Sequence, residues 1–173
     1  MKQQEYQMTG SGPAHVPPSM LGEDDAVAPD SEVIDTRFGK VTIHRVNPIS
    51  FPKGLLGIPD RNAFCLTELP SKKLARFKLL QSLDDKELSF ITLPADASNS
   101  IVDKSDVLQT CADLKISEAD LAMLFVVSVH RRPGAVQLSV NARAPIFMDA
   151  KKRTATQHVF NTNKYAIQHM ITM

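Results

Sequence analysis

Residues 77–90 constrain the fold of this chain more than any other stretch. The apolar run ends at Leu80, and the sequence Asp-Asp-Lys at 84–86 has the composition of a turn. From 88 to 93 apolar and polar residues alternate again, which is the period of a half-buried strand. The stretch therefore predicts two strands joined by a short turn.

The same short alternating runs recur along most of the chain, and they predict a fold that is mainly β. Gly39 and Lys40 suit a hairpin turn that needs a positive φ, and the prolines and glycines of 51–60 predict an ordered loop. The period changes to helical only in 103–112, while Ser117 suits the start of one further turn. Further strands are predicted at 33–38, 41–46, 63–67, 76–81, 121–129, 136–140, 146–148 and 157–160, with 121–129 as the buried central strand. We expect an antiparallel barrel or sandwich-like single domain with one or two short helices.

Two regions differ in composition. Residues 1–31 are rich in Pro and Gly with little apolar periodicity, so we predict a disordered N-terminal tail followed by one β domain at 32–173. No apolar run approaches the roughly 20 residues of a membrane span, and the N-terminus lacks the pattern of a secretory signal. The sequence therefore predicts a cytoplasmic protein without a membrane partner.

Charge is distributed unevenly along the chain. The net charge is +1 overall, and removing residues 1–31, with one lysine and five acidic residues, leaves 19 basic against 14 acidic residues, or +5. Residues 131–173 hold seven basic residues and one acidic residue, or +6. Such a segment favours phosphates or an acidic protein as partner, although a solvated basic surface gives the same composition.

The residue types that catalysis needs are not grouped in this sequence. Cys65 and Cys111 lie 46 positions apart and outside any metal-binding spacing, so we expect two free, buried thiols and no metal. Nucleotide-binding glycine motifs and hydrolase motifs are absent from the sequence. The carboxylates of Asp84, Asp85 and Glu87 fall in the predicted turn with no adjacent base or nucleophile. We therefore expect no cofactor and no enzymatic activity.

Four blocks of this sequence, in the same order and with compatible spacing, resemble the FliW family of flagellar assembly factors. They are Phe51-Pro52-Lys53-Gly54 with Gly57; Leu80-Gln81-Ser82 with Asp84-Asp85 and Glu87-Leu88-Ser89-Phe90; Asn141-Ala142-Arg143-Ala144-Pro145-Ile146; and Gln157 with Tyr165 to His169. The resemblance covers residues 32–172. It implies a small, mainly β cytoplasmic protein without catalytic activity.

The resemblance also implies two protein partners. A FliW-like protein binds newly made flagellin in a chaperone-like way, and after flagellin export it captures the translational regulator CsrA, which relieves repression of flagellin mRNA. This implies no direct contact with nucleic acid, and we expect a monomer when no partner is bound. The residues expected to contact partners are Phe51, Pro52, Gln81, Asp84, Asp85, Asn141 and Arg143. The alternative is a domain that binds RNA or another polyanion through the basic segment 131–164.

Overall fold

The computed structural model describes residues 30–95 and 100–172, and these residues form eleven strands and one α-helix. The strands are β1 (Ser31–Thr36), β2 (Gly39–His44), β3 (Ile49–Ser50), β4 (Ala63–Glu68), β5 (Lys78–Ser82), β6 (Ser89–Pro94), β7 (Leu121–Arg132), β8 (Ala135–Val140), β9 (Ile146–Asp149), β10 (Thr154–Gln157) and β11 (His169–Ile171). The helix is α1 (Lys104–Leu114), and single 3-10 turns cover Lys72–Leu74 and Glu118–Asp120. No helix among the described residues is long and apolar enough to cross a membrane.

Seven strands close into a barrel. Nine strands form one sheet in the order β11-β8-β7-β6-β5-β4-β3-β10-β9, and β9 also pairs with β7. The ring therefore runs from β7 through β6, β5, β4, β3 and β10 to β9. Its pairings are antiparallel except for that of β3 with β10, where Thr154 lies opposite Ser50. The prediction of a mainly β, barrel-like fold is confirmed, with one parallel contact that was not predicted.

The barrel is filled inside and covered outside. Leu79 and Leu80 are adjacent in β5 and point to opposite faces, yet both are fully buried. Leu80 belongs to an inner cluster with residues such as Phe64 and Ile146, to which all seven ring strands contribute. Leu79 belongs to an outer cluster in which the β1–β2 hairpin, α1 and the C-terminal segment pack on the barrel wall.

The first hairpin forms as predicted but is displaced by about two residues. β1 pairs with β2 from Ser31 opposite His44 to Thr36 opposite Gly39, so Arg37 and Phe38 form the turn. Gly39 has a φ of 104°, which a residue with a side chain adopts rarely. The predicted need for a positive φ is therefore met at the first residue of β2. β1 begins at Ser31, inside the predicted tail, and residues 1–29 lie outside the described chain.

The long strand β7 changes partner along its length. Its first residues pair with β9, Leu124 to Val126 pair with β6, and Val127 to Arg132 pair with β8. It is central in the topology, as predicted, but only Leu124 and Phe125 are buried. The expectation of a wholly buried strand is wrong, because β7 projects beyond the barrel in the β7–β8 hairpin.

The helix was predicted correctly, while the strand β10 lies earlier than predicted. α1 ends at Leu114 and is capped by Lys115, which adopts the left-handed conformation with φ of 57°. β10 occupies Thr154–Gln157, so the predicted strand at 157–160 is wrong. His158 and Phe160 instead pack ring against ring at 5.0 Å, and Phe160 packs on Tyr165 at 4.8 Å. This aromatic contact fixes the chain after β10 to the outer cluster.

Candidate functional site

Three of the sequence blocks singled out above meet at one end of the barrel. Residues 51–62 connect β3 to β4, and residues 81–88 comprise the last two residues of β5 and the turn to β6. Both connections lie at the same end of the barrel, because Phe64 lies opposite Ile49 and Ser82. Residues 141–145 precede β9. The first residue of β9 pairs with the last residue of β10, and β10 runs parallel to β3, so residues 141–145 lie at this end of the barrel as well. We call the segments 51–62, 81–88 and 141–145 the loop rim.

The first rim segment is held by a buried aromatic ring and by a glycine with a positive φ. Phe51 is 1% exposed and packs edge-on against Phe64 with ring centroids 5.0 Å apart. Gly54 has a φ of 63°, and a Cβ built on it would lie 2.4 Å from the carbonyl oxygen of Ile58. The backbone therefore doubles back at a position that only glycine fits, and this leaves the ring of Pro52 exposed.

The second rim segment is organised around the side chain of Gln81. Gln81 is fully buried, and its Nε2 lies 3.0–3.3 Å from four carbonyl oxygens, which belong to Ser82, Asp85, Lys86 and Leu88. The hydroxyl oxygen of Ser82 accepts hydrogen bonds from the backbone N–H groups of Asp84 and Asp85 at 3.2 and 3.1 Å. The side chains of Gln81 and Ser82, at the end of β5, thus form hydrogen bonds with the backbone of the turn that follows.

The carboxylates of this turn are held by the backbone and by the neighbouring segment. Asp85 Oδ1 accepts a hydrogen bond from the N–H of Glu87 at 3.0 Å, and its Oδ2 lies 3.9 Å from Arg61 Nη2 in the first rim segment. Asp84 is exposed. Glu87 is exposed as well, so the turn presents two carboxylates without an ion pair among the described residues, those of Asp84 and Glu87, and one that is partly engaged, that of Asp85.

The third rim segment is tied to the first by Gln157 of β10. Asn141 Oδ1 accepts a hydrogen bond from the N–H of Ala144 at 3.0 Å, which closes a local turn. Gln157 Nε2 donates to the carbonyl of Ala144, and its Oε1 accepts from the N–H of Leu56, both at 3.0 Å. The loop rim is thus one connected surface, in which the first segment contacts the second through Arg61 and the third through Gln157.

Two of the seven predicted contact residues are not available at the surface. Phe51 and Gln81 are buried, so in this structure their side chains position the rim and do not face a partner. Pro52 and Asp84 are exposed, and the remaining three are half-buried; these are Asp85, Asn141 and Arg143. Sequence reasoning gave Arg61 no role and named Gln157 only within a FliW-like block. The contacts by which these two residues connect the rim segments depend on partners 24 and up to 101 positions away.

The basic segment does not form a single face. Arg131 and Arg132 lie at the tip of the β7–β8 hairpin, and Arg143 lies in the rim. The three basic residues 151–153 lie in the β9–β10 turn at the opposite end of the barrel. Lys164 is engaged by two carboxylates, at 2.6 Å from Asp103 and 2.8 Å from Asp106. The basic residues that are close together in the sequence therefore lie at separate places in the folded structure.

The titratable side chains with shifted pKa values belong to residues outside the three rim segments, and the shifts have structural causes. Hydrogen bonds from Lys164 and Tyr165 lower the pKa of Asp106, and those from Lys152 lower the pKa of Asp149. Burial raises the pKa of both thiols, which are free and buried as predicted. Within 30–95 and 100–172, no three His, Cys, Asp or Glu side chains are grouped so as to hold a metal ion. The exposed rim offers hydrogen-bonding and charged groups suited to recognition of another molecule.

Comparison with known proteins agrees with this architecture. The chain is 33% identical over 141 residues to "Flagellar assembly factor FliW" of Geotalea uraniireducens, which covers 80% of this chain and 82% of that protein. It is 28% identical over 142 residues to the protein of the same name from Desulfitobacterium hafniense, with 81% and 90% covered.

The fold has a counterpart among solved structures. "Crystal structure of the flagellar assembly factor FliW" superposes with a TM-score of 0.61 at 24% identity, covering 80% of this chain and 96% of that one. The model of the FliW protein family matches residues 32–171, which include all three rim segments. The chain therefore belongs to the FliW family.

Proposed function

We propose that this protein is a cytoplasmic flagellar assembly factor that acts by binding proteins and not by catalysis. Its partners are flagellin and the translational regulator CsrA, which it binds in turn through the loop rim. When flagellin is exported, the freed protein captures CsrA and relieves repression of flagellin translation. The family membership supports the assembly role, and the partner switch follows from the resemblance described above.

The observation that carries the proposal is the connected rim itself. Three segments that are distant in sequence converge at one end of a rigid barrel, and buried side chains such as Phe51 and Gln81 fix their backbones. Binding residues are commonly placed on loops that a rigid scaffold positions. A preorganised surface loses little conformational entropy when a partner binds, which favours affinity.

The distribution of charge favours a protein partner over a polyanion. Binding of RNA through the basic segment needs several cations aligned along one groove. Here the cations of 131–173 are divided between the hairpin tip, the rim and the opposite end, and Lys164 is already paired. The rim instead presents both signs, with Asp84 and Arg143 in different segments.

A binding titration tests the proposal. The full-length protein is titrated separately with CsrA, flagellin and the leader RNA of flagellin mRNA at about 50 and 200 mM salt. We expect saturable binding of both proteins and competition between them, with RNA binding absent or weak. Tight RNA binding that falls steeply with salt, together with no affinity for either protein, would refute the proposal and support the polyanion alternative.

A further inference from the structure

One edge of β7 is free where the strand extends beyond the barrel. The last pair that β7 forms with β6 is Val126 opposite Thr92, and after it β7 pairs with β8 alone. If the register with β6 continued, Ser89, the first residue of β6, would lie opposite Val129. Among residues 30–95 and 100–172, no strand pairs with this edge beyond Val126. From Val129 to the hairpin tip, the edge therefore has no neighbouring strand among these residues.

Two backbone hydrogen bonds show which groups of β7 point to the free edge. The carbonyl of Met123 accepts a hydrogen bond at 2.8 Å from the N–H of the residue that follows β6. The carbonyl of Val126 accepts one at 3.0 Å from the N–H of the residue that follows β8, on the other side. Because the direction of hydrogen bonding alternates along a strand, odd-numbered residues of β7 face the β6 side. The N–H and C=O groups of Val129 and Arg131 therefore point to the free edge.

The side chains along this edge form a cleft with an apolar lining and a cation on each side. The volume of the cleft is about 440 Å³. Phe38 and Val129 are part of its lining, and Val129 remains 45% exposed. Arg37 Nη2 donates a hydrogen bond to the carbonyl of Ser89 at 2.9 Å, which holds this guanidinium group on the β6 side. Arg131 lines the cleft on the β7 side.

Both arginines of the cleft are available to a carboxylate. Arg37 and Arg131 are exposed, and neither forms an ion pair with another residue of the described chain. Arginine binds carboxylates through charge-assisted hydrogen bonds, which are stronger than hydrogen bonds between neutral groups. The cleft is therefore complementary in charge to an acidic ligand, and its lining is complementary to an apolar side chain.

The free edge selects a polypeptide over a nucleic acid. It presents N–H donors and C=O acceptors in alternation, and an extended protein backbone pairs with both. The phosphates of a nucleic acid accept hydrogen bonds and donate none, so they would leave the carbonyl groups of Val129 and Arg131 unpaired. A second copy of this chain, paired along the same edge, would place arginines beside arginines, which opposes dimerisation here.

The alternation of side chains defines the segment that fits. Val127 packs in the outer cluster, so Val129 and Arg131 project to the same face as Val127, while Arg132 projects to the other. In an added strand, the residues beside Val129 and Arg131 are two positions apart and lie on that same face. An apolar residue suits the place beside Val129, and an acidic residue suits the place beside Arg131. A second acidic residue, two positions beyond the apolar one, lies toward Arg37.

We propose that the free edge of β7 and the adjoining cleft bind an extended segment of a partner protein. The segment has the pattern acidic-x-apolar-x-acidic, which reads the same in both directions and therefore fits a parallel or an antiparallel strand. Its backbone pairs with Val129 and Arg131, and its carboxylates bind Arg37 and Arg131. None of the residues that line the cleft belongs to the loop rim, so this proposal and that of partner binding at the rim can fail separately.

A synthetic peptide tests the proposal on the full-length protein. The probe is acetyl-Gly-Thr-Glu-Thr-Val-Thr-Glu-Gly-amide, and amide signals and hydrogen exchange of isotope-labelled protein are followed by NMR at about 0.15 M salt. We expect saturable binding with a Kd below about 1 mM. At saturation, the N–H groups of Val129 and Arg131 should exchange at least about tenfold more slowly than without peptide. Those of Ser128 and His130 bond toward β8 and should exchange slowly in both states.

Two neighbouring arginines on opposite faces of β7 provide a matched pair of variants. Arg131 lines the cleft, whereas Arg132 does not. Arg131→Gln should weaken peptide binding at least about fivefold, because a carboxylate of the peptide loses a charge-assisted partner. Arg132→Gln removes the same charge and should leave the Kd within about twofold of wild type, because an exposed charge outside the contact is screened by salt.

Two altered peptides separate the backbone contact from the charge contact. A peptide with proline in place of valine keeps both carboxylates but lacks the central N–H group, so it should bind at least about tenfold more weakly. A peptide with lysine in place of both glutamates keeps the backbone groups and should not bind, because it brings like charges to the arginines.

Several results would overturn the proposal. They are absence of binding by the probe peptide, equal weakening by Arg131→Gln and Arg132→Gln, and signal changes confined to the loop rim. Protection of Val129 and Arg131 without peptide would also overturn it. Such protection would assign the edge to a second copy if it rises with protein concentration, and to another part of this chain if it does not. Tighter binding of an oligouridylate than of the peptide at these residues would assign the cleft to nucleic acid.

Discussion

Gly54 and Gln81 determine the shape of the loop rim without facing a partner. Gly54 permits a backbone conformation that brings Ile58 against it. Gln81 places one amide group within hydrogen-bonding distance of four carbonyls of the turn, of which those of Asp85 and Leu88 also accept a backbone N–H. The sequence identified both positions through family resemblance, but it gave no indication of their burial. Burial depends on which residues pack above a side chain, and that is set by chain segments far away in sequence.

Replacing Gly54 by Ala should destabilise the protein by about 3 kcal/mol or more. The new Cβ would meet backbone atoms at 2.4–2.8 Å, and the positive φ adds about 1 kcal/mol of strain. Gly57→Ala is the matched control, since its φ is 80° but no atom lies within 4 Å of the position that its new methyl group would take; it should cost only about 1 kcal/mol. Urea unfolding measures both, and equal losses would contradict the clash.

Gln81→Leu should destabilise the protein by about 1–3 kcal/mol, because the four carbonyl groups of the turn lose the amide donor that lies among them. The loss is moderated because Gln81 Oε1 is itself buried without a hydrogen-bond partner among the described residues. Gln109→Leu, on the exposed face of α1, is the control and should stay within about 0.5 kcal/mol of wild type. A Gln81 variant as stable as this control would show that the four carbonyl contacts contribute nothing.

Elements with a clear local period were predictable, and those fixed by distant pairing were not. The first hairpin, α1 and the β5–β6 unit follow from turn chemistry and alternation. β10 was misplaced because Thr154 to Gln157 is almost entirely polar and contains one buried residue, Ala155. Its strand conformation comes from pairing with β3, about 100 positions earlier, and with β9.

A cluster of polar side chains fixes the C-terminal segment to α1. The Tyr165 hydroxyl donates to the carboxylate of Asp106 and accepts from the N–H of Asp103 at 3.1 Å. Lys164 bridges both carboxylates. Because β11 follows this cluster and pairs with β8, the ion pairs fix the last strand to the outer layer.

Asp106→Asn should lower stability at neutral pH and have less effect in acid. The pKa of Asp106 is lowered in the folded state by Lys164 and Tyr165, so its contribution is present above the ordinary value of 3.8 and is lost as pH falls below it. The gap in Tm between wild type and variant should therefore shrink from pH 7 to pH 3. Asp113→Asn on the same helix is the control; a gap for D106N that is constant with pH would contradict this assignment.

At the scale of the whole molecule, the closure of the seven strands into a barrel could not be predicted from the sequence. The sequence indicated a barrel or sandwich through its many short strands, but closure requires β7 to pair with β9 and β3 with β10. These pairings bring three of the four FliW-like blocks to one end of the barrel. They also divide the basic segment between the two ends, so a charge cluster in the sequence is not one in space.

The most direct test of the account compares partner binding by two charge-matched double variants. Asp84→Asn with Arg143→Gln alters the loop rim, whereas Glu118→Gln with Lys151→Gln alters exposed residues at the opposite end, and both leave the net charge unchanged. Calorimetric titration with flagellin and with CsrA should show at least about tenfold weaker binding for the rim variant and wild-type binding for the control. Wild-type affinity of the rim variant for both proteins, or a loss confined to the opposite end, would contradict the account.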